Sequence, residues 1–599
     1  MTPISYSEPI VRAAPRSPAR LSAMSCLQIA PAVLLLVLFF ALPLLRSIWD
    51  SFNGTSFSFQ RYHDIFTDEI YYVVFNRTLR TAVICTVASV ALGFPLAYFM
   101  STLNRRAATF VGVFVLVPLF TAIIIRTYAW MTILSRGGVL NKALLAVGLI
   151  DSPIRILGTS TAVYLVMIHV LIPIAVLVMY SSMARIDRTL LTAAQVLGAT
   201  PVQAFLRVLV PLYVPGIISA SMLVFILTMG AYVVPPLVGA PSDAMITQLI
   251  VSKITSLFDL KTGYALSASL LGVTLLVLAV SNIVVPVEQV WSLQTSQKTR
   301  NWRGRLVWQR LAVPTRRVQS MLEAFIDFSI GRPAWLVPTL LKAYVALLLF
   351  FIVAPLTVVY ALSFSSSPFL VFPPPGFSLQ WYERFFTSPE WRAALIMSLK
   401  VAVVVASLAT AICSAAAFGL VRGQFQAKRL LFVFIVSPLL IPGIVVALSI
   451  YVSISDLGLI GTYAGLVIGH LVGAVPAGVV IVLAAVRGLD RNLEHAAASL
   501  GASPFRTLRT IVLPLLAPAL GSAWVMSFLH SFDELLVTLF VLGRQSQTVP
   551  VKMWGDIQIQ IDPVISAASC TIMTVVALII IVSQYRALAL QKPKAPIVL

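Results

Sequence analysis

Apolar runs long enough to cross a bilayer recur from one end of this chain to the other, and they limit its fold more than any other feature. A span needs about 20 mostly apolar residues in helical form, because lipid offers no partner to a bare backbone N–H or C=O. Candidate spans fall at 28–48, 80–102, 109–134, 160–183, 213–238 and 264–287 in the first half. The second half supplies 337–362, 394–421, 429–452, 461–486, 515–542 and 564–585. Numbered 1 to 12, these runs predict an all-α polytopic membrane protein of about twelve transmembrane helices. Hydrophobic residues make up 59% of the chain and charged ones 11%, against roughly a quarter charged in a soluble domain.

The net charge of +21 would point to nucleic acid in a soluble protein, but its distribution points elsewhere. With the N-terminus placed inside, and Arg46, Arg126 and Lys342 set aside, the inner loops and tails hold 26 basic and 7 acidic residues. The outer loops hold 13 and 14. Orientation follows Lys and Arg in short loops, so both termini are expected in the cytoplasm. The basicity is then mostly topology, with some contact to anionic lipid, and no nucleic-acid partner is expected. Arg12, Arg16 and Arg20 before the run from Leu27 imitate a secretory signal, yet no small-residue cleavage site follows, so the run reads as a retained span. Cys26, Cys85, Cys413 and Cys570 are scattered, as are the five histidines, with no disulfide framework, metal site or catalytic constellation.

A polar stretch between these apolar runs occurs twice. Asp187 to Pro215 reads DRTLLTAAQVLGATPVQAFLRVLVPLYVP and Asp490 to Pro518 reads DRNLEHAAASLGASPFRTLRTIVLPLLAP. At an offset of 303 they share 12 of 29 positions without a gap. An even number of spans separates the copies, so the halves are parallel six-helix repeats about an axis along the membrane normal. The expected units are 1–287, a cytoplasmic linker at 288–336 and 337–599. The linker carries Arg300, Arg303, Arg305, Arg310, Arg316 and Arg317 and reads as a solvated or membrane-surface connector, with 318–330 amphipathic. The matching outer loops Asp50–Arg77 and Ser363–Trp391 are rich in aromatics, and Pro373 to Pro375 stiffen the second. They suit either a docking surface for an extracytoplasmic partner or aromatic-capped linkers at the membrane interface.

Each repeat reads locally as helix, turn, helix. Asp187 and Asp490 are good N-caps. Gly198 and Gly501 stand where a helix ends in a left-handed residue. Thr200-Pro201 and Ser503-Pro504 restart a helix with a capping hydroxyl and a first-turn proline. Gln203 completes a capping box in the first copy, and Arg506 does not in the second. Pro211 and Pro514 mark where that helix gives way to the next span. The small pairs Ala193-Ala194 and Ala496-Ala497 let another surface approach closely.

These stretches resemble the cytoplasmic coupling loop of bacterial ABC importer permeases, whose pattern is Glu-Ala-Ala, three residues, Gly, then a hydrophobic-Leu-Pro ending. The resemblance implies that Asp187, Ala193, Ala194, Gly198, Pro211 and Asp490, Ala496, Ala497, Gly501, Pro514 form the surface that docks on ATPase subunits. Thr192 and His495 depart from the acidic position, with Glu494 one residue earlier in the second copy, and Leu209-Val210-Pro211 departs slightly at the end. Phe120–Trp130 (FTAIIIRTYAW) resembles the third span of the first spermidine/putrescine permease subunit. Phe377–Phe385 (FSLQWYERF), Ser531–Gly543 (SFDELLVTLFVLG) and Thr548–Lys552 resemble the second subunit. The chain thus looks like both polyamine-type permeases fused head to tail, and the resemblance implies two cytosolic ATPase subunits, an extracytoplasmic binding protein and a bacterial inner-membrane location. Permeases for ferric iron, thiamine or aminophosphonates share that fold.

No GxxxxGK[ST] phosphate loop occurs, so no cofactor is expected in this chain, ATP is expected on the partner subunits, and the chain is not expected to be an enzyme. Ionisable residues within spans are functional candidates by default: Arg126 in span 3, Asp533 and Glu534 in span 11. One reading has the acidic pair lining the path of a cationic solute, with Tyr128 and Trp130 offering aromatic faces. The other pairs an acid with Arg126, or lets Arg126 snorkel outward, and places the aromatics in an interfacial belt. A major-facilitator transporter also has twelve spans in parallel halves, but its usual motif lies between spans 2 and 3, where this chain has only Asn104-Arg105-Arg106. A non-transporting membrane anchor is a third class.

Overall fold

The computed structural model describes residues 18–52, 57–284, 336–369, 371–542, 547–559 and 562–590. The expected linker, with its arginine cluster and its amphipathic segment, lies outside the described residues up to the start of the helix Leu336–Ser363. All regular structure described is helical, apart from an isolated bridge between Ser365 and Phe377. Among the described residues nine helices are long and apolar enough to cross a membrane, or eleven spans if each of two bent pairs counts as one. Those eleven coincide with spans 1 to 11, and span 12 falls on the helix Val564–Leu590.

Spans 3 and 9 are not the single straight helices that the apolar pattern predicts. Arg105–Leu119 meets Ile123–Ala146 at 87°, and Lys428–Leu440 meets Gly443–Asp456 at 104°. In span 9 the cause is local: the residue before a proline is pushed out of helical backbone, and Ile441 is extended at φ −113°, ψ 139°. Span 3 makes the same break at Ala122, φ −50°, ψ 140°, without a proline.

Spans 5 and 11 begin earlier and end sooner than expected. The helix Pro201–Met229 and its counterpart Pro504–Asp533 run straight through Pro211 and Pro514. A proline ring clashes with the carbonyl four residues back and donates no bond to it. The chain relieves both problems with one wide π turn, Phe205–Leu209 in one half and Leu508–Val512 in the other. Each helix then breaks where a straight span was expected to continue. Short helices follow at Val234–Val238 and Leu536–Leu542.

The internal symmetry extends well beyond the repeat. The 303-residue offset also superposes the N-caps of spans 4 and 10, where Thr159 accepts from Ala162 and Thr462 from Gly465. Span 2, Glu69–Thr102, matches span 8, Pro389–Arg422, at an offset of 320, as do the short outer helices Gln60–Thr67 and Gln380–Thr387. Each outer helix is pinned by the same bond: Tyr62 to Ser51 at 2.6 Å, Tyr382 to Ser363 at 2.8 Å. The outer loops are therefore folded elements rather than loose linkers.

Two cores hold the molecule, and each mixes the halves. The first packs spans 2 to 5 against Val345–Leu362 of span 7 and Val564–Met573 of span 12. The second packs spans 8 to 11 against Ile29–Phe40 of span 1 and Tyr264–Leu271 of span 6. Each central bundle is thus clasped by the first and last spans of the other half. Cross-half bonds follow the same pattern: Tyr344 Oη donates to Leu92 O at 2.7 Å, and Ser453 Oγ to Leu38 O at 2.8 Å. Within lipid, helices associate by close packing rather than by water exclusion. Gly478 illustrates it: a Cβ there would lie 2.9 Å from Cys413 Sγ. The leucines left facing outward, such as Leu27, Leu45 and Leu347, suit a lipid surround.

Candidate functional site: the paired loops and the broken spans

Both repeated stretches fold alike, each as helix, turn and helix. The first helix is Thr189–Val196 in one copy and Arg491–Ser499 in the other. Asp187 Oδ1 accepts from Thr189 N and Asp490 Oδ1 from Asn492 N, each at 2.9 Å. In the first copy the helix begins one residue later than in the second: Arg188, although αR at φ −77°, ψ −14°, is its N-cap residue, where Asp490 caps the second. That backbone bond is the main cause holding the Asp187 carboxyl below the usual carboxylate range. Gly198 and Gly501 adopt φ +89° and +81°, the left-handed closure that only glycine accepts without steric cost. Thr200 and Gln203 form the reciprocal capping box. Ser503 caps through Arg506 N alone, at 3.3 Å.

The arginine after each capping aspartate anchors its loop to the neighbouring span. Arg188 Nη2 donates to Ser101 Oγ at 3.1 Å, and Arg491 Nη2 to Val421 O at 3.2 Å. Ser101 and Val421 occupy matching positions at the ends of spans 2 and 8. Each loop is therefore tethered to its own bundle.

What the loops present outward is apolar. Leu197 is 87% exposed and Leu500 89%, at matching places beside the left-handed glycines. Val196 and Phe505 are also largely exposed. Ala193 and Ala496 are exposed, Ala194 is half-buried and Ala497 buried. In one long polar loop an isolated exposed leucine is ordinary. Two at matching positions on a tethered frame make a pair of contact points.

The second cluster lies where spans 3 and 11 break. Arg126 sits four residues after Ala122 and is only 3% exposed, so it does not snorkel. Its Nη1 donates to Val170 O at 3.1 Å, and its Nε has no hydrogen-bond partner. Asp533 is the last residue of its helix and is reachable by water, although protein crowds it on all sides. The two charges act on each other electrostatically but form no ion pair within 4.0 Å. Glu534 turns away, accepting from Val537 N at 3.1 Å as the cap of the next helix. Tyr128 and Trp130 are buried in the first core rather than in a belt at its rim. Tyr128 Oη accepts from Ser566 Oγ at 3.1 Å, while Trp130 packs edge-on to His169. Both rings are almost closed to solvent, Tyr128 at 0% and Trp130 at 6% exposed.

A family model described as "Binding-protein-dependent transport system inner membrane component" matches residues 89–287 and, a second time, residues 411–591. The chain belongs to that family. It is an ABC importer permease with two permease units in one polypeptide, which sets aside the major-facilitator reading. The permease is similar to the spermidine/putrescine transport system permease protein PotB of Escherichia coli K12. The two are 36% identical over 253 residues, 40% of this chain and 92% of PotB. PotC of the same organism is 32% identical over 229 residues, 38% of this chain and 86% of PotC. A crystallised bacterial ABC transporter for the acidic polysaccharide alginate covers 44% of the permease and 95% of its own chain, at 19% identity and a TM-score of 0.38.

Sequence reasoning missed Leu197 and Leu500, which look like the last apolar residues of ordinary amphipathic helices. Only their agreement across the two copies, at a glycine-terminated end, could have singled them out. It also missed His470, which is buried between spans 10 and 11.

Proposed function

We propose that this permease forms the membrane path of a polyamine importer, taking spermidine or putrescine from an extracytoplasmic binding protein. Two cytosolic ATPase subunits grip it, one at each repeated loop, and hold the ATP that the permease itself does not bind. The observation that carries this reading is the pair of tethered, glycine-closed loops, each offering a largely exposed leucine, Leu197 or Leu500, at the same place. The excess of basic residues on that side supports placing the loops and both termini in the cytoplasm. Closure of the ATPases would move both loops as rigid bodies and, through the Arg188 and Arg491 tethers, tilt the two central bundles.

The names of PotB and PotC support a polyamine substrate. So does the exposed Asp533 carboxylate, which suits an ammonium group passing the break in span 11. Arg126 supplies the local positive charge that balances this acid while the path is empty. The test is ATP-dependent uptake of labelled spermidine in cells carrying Asp533→Asn or Glu534→Gln, with putrescine, ferric iron, thiamine and an aminophosphonate as competing solutes. Loss of uptake in Asp533→Asn, with competition by putrescine alone, is the expected result. Uptake at the unsubstituted rate in both variants would remove the acids from the path.

A further inference from the structure

The two halves treat their broken fifth span differently. At the 303-residue offset Asp533 corresponds to Gly230, and at the 320-residue offset Arg126 corresponds to Val446. On the glycine side the break is filled by backbone: a Cβ on Gly230 would lie 3.2 Å from Gly443 N and 3.3 Å from Pro442 Cα. On the aspartate side there is a side-chain clamp instead. His470 of span 10 is 1% exposed and reaches both sides of the break, with Nδ1 2.8 Å from Ser531 Oγ and Nε2 3.0 Å from Thr538 Oγ1.

Thr538 Oγ1 donates its proton to Glu534 O at 2.9 Å, so it must accept from His470 Nε2–H. Nδ1 is then the acceptor for Ser531 Oγ–H, since a neutral imidazole has one donor and one acceptor. A continuous chain of bonds runs from Ser531, through His470 and Thr538, to the carbonyl of Glu534. It spans the break on whose tip Asp533 sits. The matching residues in the first half are Met167, Thr228 and Pro235, which cannot build such a chain, and Thr228 turns back to Val224 O at 2.8 Å.

We infer that His470 is a positioning residue for solute passage: it fixes the break in span 11 so that Asp533 faces the path. This rests on the proposed place of Asp533 in that path. The clamp makes the path one-sided, with a fixed acid on the second half and packed glycine on the first. Such an arrangement suits one cationic end of a solute at a time.

The test compares spermidine uptake with ATP hydrolysis in membranes that hold the permease with its ATPase and binding protein. His470→Leu is expected to lower uptake about tenfold, the scale of one buried hydrogen bond lost, and to leave hydrolysis within about twofold. His470→Gln, which keeps a donor toward Thr538, should recover most of the uptake, and His470→Asn, too short to reach it, should not. Adding His470→Leu to Asp533→Asn should lower uptake no further. If His470→Leu fails to insert, the Gln and Asn variants decide: equal uptake in the two overturns the inference. Uptake and hydrolysis falling together would also overturn it, as a merely structural effect. Unimpaired His470→Leu beside impaired Asp533→Asn overturns this inference alone. Unimpaired Asp533→Asn overturns the path reading, and this inference with it.

Discussion

Arg422 Nη2 lies 2.5 Å from Glu494 Oε1, joining the end of span 8 to the second repeated loop. The matching residues of the first half, Thr102 and Leu191, cannot form an ion pair. The second loop therefore has a tether at Glu494 beside that at Arg491, and the first has none at the position matching Glu494. The acid nearest to the family's glutamate position is thus spent within the chain rather than offered to a partner. Replacing Glu494→Gln should loosen the helix Arg491–Ser499 by about 1 kcal/mol, the scale of a partly exposed pair. Amide exchange would read this as a severalfold faster opening of that helix, with Thr189–Val196 unchanged.

The left-handed glycines carry a cost that can be separated from crowding. No atom would lie within 4 Å of a Cβ on Gly198 or Gly501, so Gly→Ala there pays for backbone strain alone, about 1 kcal/mol. Gly501→Asn should cost less. Gly501→Pro cannot adopt φ +81° and should abolish uptake while membrane insertion stays normal. Immunoblotting of membranes beside an uptake assay checks both.

The cap at Asp187 has a pH signature. Its carboxyl titrates below the usual range because Thr189 N–H favours the ionised form. A depressed folded-state value means that the cap's contribution is fully present above the unfolded value, throughout neutral pH. It is lost only as pH falls through the lowered value, on the acid side of the ordinary carboxylate range. Exchange rates across Thr189–Val196 should rise there in the unsubstituted chain, and Asp187→Asn should remove that step.

These loops were the most legible part of the chain, and the reason is physical. A cap, a left-handed glycine and a first-turn proline are set by three or four neighbouring residues, so their chemistry is written locally. Apolar runs likewise locate spans, because lipid imposes one length and one polarity. The break at Ala122 could not be read, since the residue has no conformational preference that demands it and packing holds it there. Tyr128 and Trp130 look like interface aromatics in sequence, but the clasp of spans 7 and 12 around span 3 buries them. That exchange of outer spans between halves depends on long-range packing, which periodicity does not record. His470 passed as one of five scattered histidines until its two hydroxyl partners were brought to it by the fold.

Arg126 and Asp533 balance each other across a gap rather than in contact. Removing one leaves the other charge without its balance in a crowded place, which costs more than removing both. Arg126→Met should therefore destabilise the permease by at least about 1 kcal/mol, and Arg126→Met with Asp533→Asn should recover part of that. Thermal melting in detergent would show the double variant above the Arg126→Met single. Melting of the double below both singles would mean that the two charges do not interact.

The most direct test of the account is site-specific crosslinking of the two loops to the ATPase. The native cysteines are buried except Cys26, so Leu197→Cys and Leu500→Cys, each with Cys26→Ser, place one reactive thiol on a chosen loop. Each variant should crosslink to one ATPase subunit, and the combined variant to two, with uptake lost on crosslinking. Absence of any crosslink at both leucines, in membranes where ATP-driven uptake is intact, would contradict the claim that these loops are where the motor holds the permease.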